Sequence, residues 1–227
     1  MANNESYPAR LQQYIQEAGI NNTRVINGGQ PGYTSFQGSW LWQEVLKNYE
    51  PDVVLIGYVV QDARKAAYTD KSQAILQKDS RYLKDNLLYR SRTYLGLRSL
   101  IGSIQIRAKE RGQGDVGGVY RVPPSDYVAN LRSLVSTIKD GGGEPILFGY
   151  PLERSGYTAK HRSILKAAAQ QLQLRHFDPQ SLMEEASRKQ NYYFTRDRGH
   201  ANAAGNAQIA RWVFDFLQRE KIVGGGQ

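Results

Sequence analysis

Apolar positions along the chain recur first at helical spacing and then as short unbroken runs, a pattern that predicts alternating helices and strands. From Tyr7 to Ala18, the residues Leu11, Tyr14, Ile15 and Ala18 follow the helical period, and Gly19 closes the segment. Arg24-Val25-Ile26-Asn27 is a short β-branched run ending in Gly28-Gly29, which reads as a buried strand entering a loop. Pro31-Gly32-Tyr33-Thr34-Ser35 has turn chemistry, and a helix is expected from Gln37 to about Asn48 with Trp40, Leu41, Val45 and Leu46 toward the core. Val53-Val54-Leu55-Ile56-Gly57-Tyr58 is apolar without alternation, as suits a strand covered on both faces of a parallel sheet. Residues 62–86 are polar without a readable period, whereas Leu87 to Arg111 looks helical and basic. An amphipathic helix is expected from Ser125, a suitable N-cap, to Lys139. Gly141-Gly142-Gly143 ends it before a strand at Pro145-Ile146-Leu147-Phe148-Gly149. A helix at 158–172, a short strand at Leu174–Phe177, a helix near 180–190 and a last helix from about Asn202 to Glu220 complete the pattern.

Strands alternating with helices build right-handed βαβ units, so the expected fold is α/β with a mostly parallel sheet and helices on both faces. With 227 residues, 40% of them hydrophobic, the chain suits one domain over 1–227, with 63–122 as an insertion and 223–227 as a tail. Ligands of such sheets bind at the carboxyl ends of the strands. That rule selects the loops after Asn27, Tyr58 and Gly149, and the polypeptide preceding the last helix.

The last of these places holds Asp197-Arg198-Gly199-His200-Ala201-Asn202. An aspartate three residues before a histidine can accept the Nδ1–H bond, which leaves Nε2 as a general base. A capping aspartate beside an incidental histidine has the same spelling. His161, between Lys160 and Arg162, is expected to be solvated, and His176 to be structural in its strand. The glycines of Asn27-Gly28-Gly29-Gln30-Pro31-Gly32 can present N–H donors to an oxyanion, or can simply form a turn. At Gly57-Tyr58-Val59-Val60-Gln61-Asp62, the Gln61 carboxamide can donate to the same oxyanion, and Asp62 can fix the loop; a polar strand terminus reads the same way. With no cysteine in the chain, disulfides and thiol catalysis are excluded.

In this order the segments resemble the SGNH (GDSL-type) hydrolases, and the resemblance covers nearly the whole chain. It implies a three-layer, flavodoxin-like α/β/α fold and ester hydrolysis by a Ser-His-Asp triad, without metal or cofactor. Pro31 to Ser35 looks like the family's glycine block, which gives Gly32 an oxyanion role. Gly57 to Asp62 looks like its asparagine block, with Gln61 in the place of the asparagine, and Asp197-Arg198-Gly199-His200 looks like the closing block. The extra methylene of Gln61 can displace its donor by about 1 Å, at a cost of up to ~10²-fold in rate. Ser6-Tyr7-Pro8-Ala9-Arg10-Leu11 is similar to the helix that follows the nucleophile loop. The Gly-Asp-Ser block itself, with the first strand, is not in this sequence, and the C-terminal Ile222 to Gln227 contains no serine. It is expected upstream of Met1, inside a longer reading frame. None of Ser6, Ser35 and Ser39 is preferred as a replacement nucleophile.

The expected substrates are small esters and acylated carbohydrates or lipids. The net charge of +9 and the cluster Arg90, Arg92, Arg98, Arg107, Lys109 and Arg111 within 63–122 suggest an anionic substrate or contact with a membrane surface; a solvated helix face is the plainer reading. A catalytically inactive, SGNH-like binding protein for an anionic ligand or surface is the alternative. Nucleic acid is not expected, since the basic residues are spread along the chain without a binding motif. Met1-Ala2-Asn3-Asn4-Glu5 has neither a basic start nor an apolar stretch, so an export signal, if the protein has one, is expected upstream; compartment and oligomeric state are open.

Overall fold

The computed structural model describes residues 3–75, 118–195 and 199–224. Its main sheet consists of β1 (Val53–Ile56), β4 (Glu144–Phe148) and β5 (His176–Phe177), all parallel, in the order β1-β4-β5. The alternation of β4 divides the core in two. Ile146 and Phe148 face a cluster built from α1 (Tyr7–Glu17), α5 (Gln180–Ala186) and α6 (Ala203–Arg219), with Leu11, Ile15, Met183, Ile209 and Val213. Leu147 faces the other cluster, where α2 (Ser35–Glu44), α3 (Pro124–Asp140) and α4 (Ala159–Gln171) contribute Trp42, Tyr127, Leu131 and Leu165. Helices thus cover both faces of a parallel sheet, the architecture the alternating pattern predicts. Among the described residues no helix is long and apolar enough to cross a membrane.

Lys65–Ala66 (β2) and Val119–Tyr120 (β3) pair antiparallel as a separate two-stranded ribbon. The basic helix expected at Leu87–Arg111, with its six cationic side chains, lies outside the described residues.

Several local expectations are corrected. The run Arg24–Asn27 is extended but forms no ladder, and Arg24, Ile26 and Asn27 are exposed. A side chain stands in for a partner strand there: Val25 N–H donates to Gln12 Oε1 at 2.6 Å, and Gln12 Nε2 donates to the Thr23 carbonyl at 3.1 Å. One carboxamide thereby offers the donor and acceptor that a neighbouring peptide would. β1 stops at Ile56 rather than Tyr58, and Val53 to Leu55 are only half-buried, because among the described residues β1 pairs on one edge alone, with β4. Helix α2 begins at Ser35, which rotates Leu41 and Trp42 into the core and leaves Trp40 58% and Val45 39% exposed. The N-cap of α3 is Pro123, not Ser125, since a proline at the first helical position surrenders no needed N–H.

Candidate active site

The glycine block forms a turn. Tyr33 N–H donates to the Gln30 carbonyl at 3.2 Å, and Gly32 has φ +80°. Proline at the second position and a left-handed third residue specify a type II turn, where a side chain at 32 would strain the backbone. Helix α2 starts directly behind it, capped by Thr34, whose N–H donates to Gln37 Oε1 at 2.8 Å. The next residue ties the turn to the loop after β1: Ser35 N–H and Oγ–H donate to Asp62 Oδ1 at 3.0 and 2.5 Å, and Asn130 Nδ2 donates to Ser35 Oγ at 3.0 Å. Asp62 therefore fixes this loop from a fully buried position. Ser35 is equally buried, with its hydroxyl committed to that carboxylate, which leaves it unsuited to attack a substrate.

Burial pushes the Asp62 carboxyl from 3.8 to about 6, against the lowering effect of the Ser35 hydrogen bonds. Between about pH 4 and pH 6 the folded chain keeps a proton here that the unfolded chain has released. Folding stability is therefore expected to fall by up to about 3 kcal/mol as pH rises through that window, and to level off above it. Urea unfolding of wild type and Asp62→Asn from pH 4 to pH 7 measures it. The wild type should lose ground to the variant across the window, and a constant difference contradicts the assignment.

Gly32 and Gln61 are joined by Arg121, at the exit of β3. Its Nη1 donates to the Gly32 carbonyl at 2.9 Å and to Gln61 Oε1 at 3.2 Å. Nε and Nη2 form a fork on Asp70, both at 2.9 Å, and Thr34 Oγ1 lies 2.7 Å from the same carboxylate. Among the described residues, neither the Gly32 N–H nor the Gln61 Nε2 donates a hydrogen bond. Arg121 and Asp70 were not legible as site residues. The available signal was an arginine set between the apolar Val119-Tyr120 and Val122-Pro123, a spelling that suits a cation with a partner.

His200 is exposed, and its surroundings are fixed from below. Tyr193 and Ala201 form an antiparallel bridge, with Phe194 N–H donating to the His200 carbonyl at 3.1 Å and Asn202 N–H to the Tyr192 carbonyl at 2.9 Å. Asn202 caps α6 through Gly205 N–H at 2.9 Å, and Gly205 is required because a Cβ there would lie 2.2 Å from the Tyr192 carbonyl oxygen. A backbone hydrogen bond from Ala201 reaches the hydroxyl of Tyr150, just past the end of β4. Gln61 follows β1, so both residues belong to the carboxyl rim of the sheet. Asp197 lies outside the described residues.

The other histidines are not at this rim's surface. His161 is fully buried rather than solvated: Nε2 lies 2.9 Å from the Val122 carbonyl and so carries the proton, and the ring packs against Tyr120 and Tyr127. Burial lowers its pKa. His176 sits in β5, half-buried, and is likewise held below its usual range by burial. A depression lined by Gly143, Glu144, Gln173 and Arg175 lies at the opposite, amino rim of β4 and β5 and faces none of these groups. Among the described residues, no group of three or more His, Cys, Asp or Glu is placed to hold a metal ion.

Behind the rim, Arg162 clamps the loops after β4 and β5. Its Nη1 donates to both Asp178 oxygens at 2.6 and 2.8 Å, and Nη2 donates to the Tyr150 carbonyl at 2.5 Å and to Gln180 Oε1 at 3.0 Å. A Cβ on Gly149 would come within 2.4 Å of Asp178 Cγ, so only glycine admits the carboxylate this close.

Solved structures share this fold. An acetyl xylan esterase aligns over 95% of this chain and 92% of its own with a TM-score of 0.61 at 14% identity. An acetylxylan esterase from Geobacillus stearothermophilus aligns over 94% and 80% with a TM-score of 0.58 at 21% identity. A lipase/acylhydrolase from Enterococcus faecalis aligns over 97% and 88% with a TM-score of 0.64 at 14% identity. No protein of curated function matches the chain in sequence. A family model nevertheless spans residues 2–208, from the first helix through turn and rim to the start of α6, and by that match the chain belongs to the GDSL-like Lipase/Acylhydrolase family.

Proposed function

We propose that the protein hydrolyses small carboxylic esters, O-acetyl groups on carbohydrates foremost, by a Ser-His-Asp mechanism. One observation carries the reading: Gly32 and Gln61, whose N–H donors are uncommitted among the described residues, have their carbonyl oxygens held by a single guanidinium nitrogen on the rim that also bears His200. The similarity to two acetyl xylan esterases favours the acetyl group.

In this mechanism a serine hydroxyl attacks the acyl carbon while His200 Nε2 takes its proton, and Asp197 accepts the Nδ1–H bond of the resulting imidazolium. The negative oxygen of the tetrahedral intermediate is received by Gly32 N–H and Gln61 Nε2. Collapse of the intermediate returns the proton from His200 to the departing alkoxide. Water then repeats the cycle on the acyl-enzyme and releases the carboxylic acid and the free serine.

The nucleophile in this reading comes from a Gly-Asp-Ser block encoded upstream of Met1, on a strand that pairs with β1. The one-sided pairing of β1 among the described residues supports it, because an apolar strand with an open edge costs unpaired backbone groups. Assay of chromogenic acetyl esters, on the 227-residue chain and on a protein extended by the upstream coding sequence, tests the whole proposal. Hydrolysis by the extended protein, lost when its block serine becomes alanine, is the expected result. An inert extended protein, or upstream sequence without the block, overturns it; salt-sensitive retention on an anionic surface would then favour a binding role.

A further inference from the structure

We infer that Arg121 is a positioning residue that sets the orientation of the oxyanion-binding carboxamide of Gln61, an inference that rests on the hydrolase reading above. The argument begins with what each group can do. An arginine only donates hydrogen bonds, so whatever part of Gln61 faces it must be the carbonyl oxygen. Nη1 sits 3.2 Å from Gln61 Oε1, which turns the amide so that Nε2 is directed away from the guanidinium. Glutamine has one more rotatable bond than asparagine, and unrestrained it would spread its donor over several positions. A catalytic donor has to be fixed in advance to be effective.

The same nitrogen holds the Gly32 carbonyl at 2.9 Å. Both proposed donors are thus referred to one atom, and their relative placement no longer depends on two separate loops. Arg121 is itself held: its other edge forms a two-pronged pair with Asp70, whose side chain is 3% exposed. Thr34, the cap of α2, approaches that carboxylate, and the Asp70 N–H donates to the Arg121 carbonyl at 2.8 Å. Asp70 also balances the charge, so the guanidinium acts through geometry. Lysine cannot replace it, because a single ammonium cannot form the Asp70 fork and bridge Gly32 to Gln61 together.

Side-chain amide NMR decides the point without requiring turnover. In ¹⁵N-labelled protein the Gln61 Nε2 pair is identified by its disappearance in Gln61→Glu. The wild-type pair should be ordered, with an order parameter near ~0.85, and should fall below about 0.6 in Arg121→Gln and Arg121→Lys, while the backbone spectrum stays folded. An unchanged Gln61 signal in either folded variant overturns the inference. Should Arg121→Gln fail to fold, Arg121→Lys and Asp70→Asn carry the same readout. In the hydrolytically active protein, Arg121→Lys should lower kcat by roughly 10²-fold and leave KM in place; a loss confined to KM also counts against positioning. Absence of hydrolysis in the wild type refutes the proposed function and leaves the NMR result to judge Arg121.

Discussion

Replacing His200 with alanine in the serine-complete protein should lower kcat for acetyl esters by on the order of 10⁴-fold or more, with KM nearly unchanged. The residue is assigned the one task that no other described group on this rim can take over, moving a proton from the nucleophile to the leaving alkoxide. His161 is sealed in the core against Val122, and His176 lies within β5. Stability should hardly respond, since the imidazole is exposed and its loop is anchored by backbone bonds at Phe194, Ala201 and Asn202 that alanine retains. Surface substitutions of this kind usually stay within about 0.5 kcal/mol. Initial rates and urea unfolding of the same preparation make the check, and normal turnover in a folded His200→Ala protein would remove the histidine from the chemistry.

The largest loss of stability is expected from Arg162→Met. Methionine keeps the unbranched aliphatic stem but leaves Asp178, 19% exposed, without its cation, frees the Tyr150 carbonyl, and leaves Gln180 Oε1 with only its Leu152 N–H bond. Breaking a nearly buried pair from one side should destabilise by about 3 kcal/mol. Because Gly149 admits Asp178 beside β4, the stranded carboxylate has little room to turn toward water. Asp178→Asn in the same chain should recover part of the loss, giving a coupling of roughly 1–3 kcal/mol in a double-mutant cycle. Additive effects would mean that Arg162 acts through its Thr158 and backbone bonds instead.

The elements legible in the sequence were those whose evidence is local. The helices later labelled α1, α3 and α6 carry apolar stripes long enough to fix both face and extent, and β4 is a continuous apolar run between a glycine triplet and Gly149. The turn at Gly32 was legible for the same reason, since proline and glycine act on their immediate neighbours, whereas for Asp62 the strand end showed a loop-fixing carboxylate but not its partner Ser35, 27 positions away. What failed was whatever depends on a distant partner. Arg24–Asn27 has strand composition, but a strand exists only through its neighbour, and here Gln12 supplies the bonds. His161 was misread from its charged flanks, although its own stripe, with Leu165, Ala168 and Ala169, already pointed inward. Arg121 lies 60 positions from Gln61, and nothing in either local spelling announces the other.

The carboxamide of Gln12 also bears on how this protein behaves at high concentration. Strand edges with unsatisfied peptide groups recruit other chains and seed aggregates. By occupying Thr23 and Val25 from within the same molecule, Gln12 denies a foreign strand its first two rungs on that stretch. Substituting Gln12 with leucine would reopen them beside the exposed Ile26, and self-association should then begin on that flank of the molecule.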